Sequence, residues 1–74
     1  MRPWEGESME AVRALIRGAA LAEYYGQTED WVDLRVSEGW SEDDIGTFIN
    51  EHRTEITRTK KQFERWLDGE TELL

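Results

Sequence analysis

The residues of this chain best suited to bind another molecule lie between Arg53 and Arg65. Arg53, Arg58, Lys60, Lys61 and Arg65 supply five cations there against two carboxylates, Glu55 and Glu64, a local balance of +3. The whole chain has a formal charge of −8, so everything outside that segment carries −11. At about 100° per residue, a helix here puts Ile56, Thr59, Phe63, Trp66 and Leu67 on one face. Thr54, Thr57, Arg58, Lys61 and Arg65 fall on the opposite one. Arginine and lysine on such a face can bind phosphates or guanine edges, and threonine can contact phosphates or thymine methyls. The bland alternative is the solvated polar side of any amphipathic helix.

Other chemistry is poorly supplied. His52 is the only histidine, and it falls on the apolar stripe, where a core or interface role is commoner than metal ligation. Glu55, three residues on, could share its face, but two ligands do not make a metal site. There is no phosphate-binding glycine loop, no Ser/His/Asp set and no carboxylate pair isolated enough to shift a pKa. The absence of cysteine excludes disulfides and thiolate metal sites. The expectation is a protein that is not an enzyme and uses neither cofactor nor metal. The tryptophans are read as core and interface anchors rather than base-stacking platforms, with Trp31, Trp40, Phe63 and Trp66 as interface candidates.

The stretch from Trp40 to Leu67 must position the cationic face. Ile45, Ile49, Ile56, Phe63 and Trp66, with Phe48 and Leu67 beside them, recur at helical spacing. Ser41 ahead of Glu42-Asp43-Asp44 predicts a capping box with Asp44, and Trp40 with Ile45 predicts a hydrophobic staple. Two structures fit: one unbroken helix from Glu42 to Leu67, about 39 Å long, or two helices parted near Asn50-Glu51-His52. Upstream, residues 1–7 read as an extended arm from which Trp4 could pack back onto the domain or onto a partner. Residues 8–68 read as a single helical domain and 69–74 as an acidic tail. Ser8 caps a first helix with Met9, Val12, Leu15, Ile16, Ala19 and Ala20 on one side and Arg13 and Arg17 to the other, ending at Gly26. Gly18 lies within it, either to admit a close neighbour or merely tolerated. Thr28 is read as the cap of a second helix that runs to Gly39, and Asp68-Gly69 as the stop after Leu67. The fold class is therefore all-α, a small domain of three to four helices. At 74 residues its core is modest, which points to a homodimer. Neither a membrane span nor a signal-peptide pattern is visible, so a cytoplasmic location is expected.

The segment GWSEDDIGTFINEHRTEITRTKK within Leu34 to Lys61 resembles the helix-turn-helix of transposase, resolvase and small bacterial regulator families. Gly39 and Ser41 match the opening, Ile45-Gly46 the apolar-small pair, Ile49-Asn50 the turn, and Ile56-Thr57-Arg58 the second helix. The resemblance implies a DNA-binding transcription regulator of phage or mobile-element type, viral in that sense. Thr54, Thr57, Arg58, Lys61 and Arg65 would face the major groove of duplex DNA, and Arg53 and Lys60 its phosphates. The competing reading is an acidic helical protein-protein interaction module, or an inhibitor that mimics nucleic acid and occupies a partner protein that binds acidic surfaces. Helical dihedrals through residues 49–54 favour the interaction protein, and a left-handed turn at Asn50 favours DNA recognition. Glu42, Asp43 and Asp44 would repel a duplex unless salt screens them, and the acid-rich, arginine-over-lysine composition resembles halophilic usage. At about 1 M salt the screening length falls to roughly 3 Å. Thermal melts in rising KCl are therefore expected to show stability increasing into the molar range; a flat or falling midpoint would remove this explanation.

Overall fold

Polar caps and glycines divide the chain, whose computed structural model describes residues 2–67, into four helices and no strand among those residues. They are α1 (Met9–Tyr24), α2 (Thr28–Ser37), α3 (Glu42–Glu51) and α4 (Arg53–Leu67). Ser8 is extended and its hydroxyl accepts from the Ala11 amide at 3.1 Å, which starts α1. Gly26, at φ +69°, ends it, and the Gln27 amide reaches back to the Ala22 carbonyl at 2.6 Å. Left-handed backbone favours glycine because no Cβ meets the carbonyl there.

Helix α2 begins one residue earlier than its sequence signals. Gln27 holds the capping place without a side-chain bond, so Thr28 lies inside the first turn and is not the cap. The helix closes at Ser37, and Gly39 at φ +96° turns the chain while the Trp40 amide donates to the Arg35 carbonyl at 3.0 Å. At α3 the capping box forms as expected. Ser41 Oγ accepts from the Asp44 amide at 3.1 Å, and Asp44 Oδ2 accepts from the Ser41 amide at 3.2 Å.

The α3–α4 connection is the two-helix alternative, with the break placed at His52. Asn50 and Glu51 remain helical, and His52 alone, at φ −111° and ψ 16°, separates the two helices. Its amide still donates to Phe48 O at 3.0 Å, and its carbonyl accepts from Ile56 at 2.9 Å. No non-glycine residue among those described has a positive φ, so the turn read at Ile49-Asn50 does not form. The bond between the His52 ring and Phe48 O, 2.8 Å from Nδ1, holds the junction on its carbonyl side.

Residues 3–6 make turns instead of an extended arm, because Trp4 is drawn into the core. The Glu5 amide bonds Arg2 O at 3.0 Å and the Glu7 amide bonds Trp4 O at 3.2 Å. Trp4, Trp31 and Trp40 surround Phe48, with ring centroids 5.1, 5.9 and 5.6 Å from it. Phe48 and Ile56 are fully buried. Ala19, Ala20 and Ala22 line the α1 side with Ile16, small residues that bring neighbouring helices close. Gly18 serves the same end, since a Cβ there would lie 3.3 Å from Trp31 Nε1. Arg35 lies over the Trp31 and Trp40 rings, 5.2 and 5.9 Å from their centroids, and pairs with Glu38.

At the other end of the apolar pattern, Met9 is 71% exposed, Trp66 68% and Leu67 50%. Trp66 and Leu67 do not join the core, because the stripe of α4 is carried inward by Ile56 and Phe63, and Met9 opens α1 outside it. The stop at Asp68-Gly69 and the acidic tail lie outside the described residues.

Truncating Phe48→Ala should cost about 3–5 kcal/mol, the range for a buried aromatic. Ser41→Ala should cost about 1 kcal/mol through the lost cap. Urea midpoints of the two variants are expected to differ accordingly, and equal shifts would deny Phe48 its central place.

Candidate interaction surface

Helix α4 is oriented by α1. Arg53 Nη1 donates to both carboxylate oxygens of Glu23, at 3.1 and 2.9 Å, tying the first turn of α4 to the last turn of α1. The two helices pack along their lengths and therefore run antiparallel. Ile56 and Ala20, both fully buried, lie in the seam between them. With its apolar side committed there, α4 must turn the other side outward. Thr54, Thr57, Arg58, Lys61 and Arg65 are all exposed on it, as the helical spacing predicts, and Lys60 is half-buried at its edge.

Ion pairing separates these residues further. Among the described residues the salt bridges include Arg2–Glu51, Arg35–Glu38 and Arg53–Glu23. Arg53, expected on phosphates, is thus engaged with a carboxylate of its own chain, through a half-exposed bridge of the kind that contributes about 0–1 kcal/mol. Arg58, Lys60 and Lys61 carry no salt bridge among the described residues. Neither do Arg13 and Arg17, exposed on α1, which sequence reasoning set to one side of that helix without joining them to α4. Their spacing of one helical turn was the available signal; the pairing of α1 with α4 was not.

The acidic residues are arranged differently. Glu29 and Asp30 open α2, and Glu42, Asp43 and Asp44 open α3. Carboxylates in a first turn are stabilised by the helix dipole and the free amides there, so these groups serve the helices that carry them.

The aromatic interface candidates divide. Trp31 and Trp40 are buried within the single chain and are core anchors, Phe63 is half-buried against that core, and Trp66 is exposed. His52 is occupied by Phe48, its ring 4.2 Å from the Phe48 ring and its Nδ1 on the Phe48 carbonyl. No group of three or more His, Cys, Asp or Glu residues that could hold a metal ion occurs among the described residues. A shallow groove of about 350 Å³ opens between Pro3, Ala11, Ala14 and Trp40, with Glu7 and Glu38 on its walls. Within the described residues, no helix is long and apolar enough to cross a membrane.

The arrangement is a helical pair in which Arg58, Lys60 and Lys61 have no salt bridge among the described residues, above a core of tryptophan, phenylalanine, isoleucine and alanine. Comparison of the chain with protein-family models, with curated proteins and with solved structures finds no match.

Proposed function

We propose that this chain is a helical protein-protein interaction module. The observation that carries the reading is the backbone through residues 49–54, helical up to Glu51, interrupted by His52 alone, and helical again from Arg53. A helix-turn-helix joins its helices through a turn of about 3–4 residues that sets them at about 90–120°. Here the connection is one residue and α4 runs along α1, with its first-turn arginine held by Glu23. A small core and exposed Met9, Leu34, Val36, Trp66 and Leu67 suit a chain that completes its burial against a partner, a homodimer included.

Duplex DNA is the second reading. It is supported by the exposed row of Thr54, Thr57, Arg58 and Lys61, in which both cations lack a carboxylate partner. The −11 carried outside residues 53–65 weighs against it, because a long polyanion meets that charge as well.

Pull-down of the tagged chain from lysate of its source cells, with and without nuclease, tests the two. Retained proteins should be the same in both, and their loss on nuclease treatment would favour DNA. In a duplex-binding assay the double variant Arg58→Ala/Lys61→Ala should behave like the parent chain. Weakened retention with a flatter salt dependence is the outcome expected of a DNA-binding protein.

A further inference from the structure

We infer that α1 and α4 together form one receptor face for an acidic segment of a partner protein, with Arg13 and Arg17 as part of it. The inference rests on the interaction-module reading and assigns its surface and the chemistry of its partner.

The geometry comes from the antiparallel pairing. The Arg53–Glu23 bridge fixes the register, so that Lys60 of α4 comes opposite the neighbourhood of Ile16 in α1. In two antiparallel right-handed helices, residues about 60–140° beyond the contact line in the chain direction lie on the same side of the pair. On α1 that flank holds Arg13 and Arg17. On α4 it holds Thr57 and Lys61, with Lys60 in the seam and Arg58 one step further round. The opposite flank of α1 is filled, since Ala19 and Ala22 are buried there, and Trp31 of α2 closes on Gly18 beyond them. The cations of the two helices are thereby gathered on the side that α2 and α3 leave open.

Charge makes the face a receptor. Arg13, Arg17, Arg58, Lys60 and Lys61 have no carboxylate within salt-bridge distance among the described residues, in a chain with 17 acidic residues. Glu10 and Glu64 are the carboxylates on the same flank, and neither forms a salt bridge. Like charges held together without counter-charges repel one another, and an anion from outside relieves that repulsion.

Extent distinguishes the partner. Helix α4 has 15 residues and is about 22 Å long. A duplex, with one charge per roughly 1.7 Å, lays about 13 charges along that length and continues past both ends. There it meets the acidic remainder of the chain, within reach of a screening length of about 8 Å at physiological salt. An acidic peptide segment carries its charge only where the cations are. Arg13 and Arg17 are one turn apart and Arg58 and Lys61 three residues apart, the spacing of glutamates along one face of a partner helix.

Fluorescence anisotropy of the full chain tests this with two labelled probes: a 21-residue helical peptide with glutamates on one face at alternating three- and four-residue spacing, and a 20-base-pair duplex. The peptide should bind more tightly than the duplex and weaken as KCl rises. Arg13→Glu/Arg17→Glu and Arg58→Glu/Lys61→Glu should each reduce peptide affinity by roughly tenfold or more, with Arg13→Lys/Arg17→Lys close to the parent chain. Circular dichroism checks folding, and glutamine replaces glutamate in any variant that fails to fold. Tighter binding of the duplex, no binding of the peptide, or an α1 reversal without effect would each overturn the proposal. Peptide binding that disappears below the self-association concentration in sedimentation would assign the face to a second copy, and would overturn it as well. If nuclease-resistant partners are still captured by both reversal variants, the interaction-module reading stands and this face is excluded from it.

Discussion

Everything in this fold depends on the enclosure of one phenyl ring. Phe48 contributes from α3, and the rings around it come from four other places: Trp4 from the N-terminal turns, Trp31 from α2, Trp40 from the loop before α3 and His52 from the junction. Aromatic pairs at these separations contribute about 0.5–1.5 kcal/mol each beyond the area they bury. For a chain of this size, such pairs are a large share of a total stability of order 0.1 kcal/mol per residue. The ring cluster replaces the aliphatic layers that a larger helical domain would stack. It leaves α1 free to supply alanines, and the alanines in turn let α4 lie close enough for Ile56 to be sealed.

That closeness has an electrostatic result. With α1 and α4 in contact along their apolar sides, their outer surfaces merge, and the arginines of one helix become neighbours of the lysines of the other. Five of the acidic residues, Glu29, Asp30, Glu42, Asp43 and Asp44, are drawn elsewhere, to the first turns of α2 and α3, where helix amides attract them. Segregation of charge in this molecule is thus a by-product of capping and packing. Neither process consults what the exposed cations will meet.

Much of this was legible from residue order alone. Ser8 and Ser41 announced their helices, Gly26 and Gly39 their stops, and the Ile56–Phe63 spacing told which side of α4 is hidden. What was not legible involved competition between residues far apart in sequence. Asn50 has the character of a turn residue, yet Phe48 and Ile56 must both reach the core, and a helical path with one departure at His52 achieves this without a left-handed residue. Trp66 fits the stripe by spacing but is exposed, because Ile56 and Phe63 already fill the seam with α1. Arg13 and Arg17 looked peripheral until the direction of α4 was known. Local signals mark where a helix begins and which side is greasy; they say nothing of the helix it will lie against.

Trp4, packed on Phe48 and Trp40, ties the N-terminal turns to the middle of the chain. The indole that completes the cluster stands at position 4 and the isoleucine sealed under α4 at position 56, so no contiguous half of the polypeptide owns a closed interior. Loss of structure is then a single cooperative event, in which the ring cluster and the α1–α4 seam come apart together.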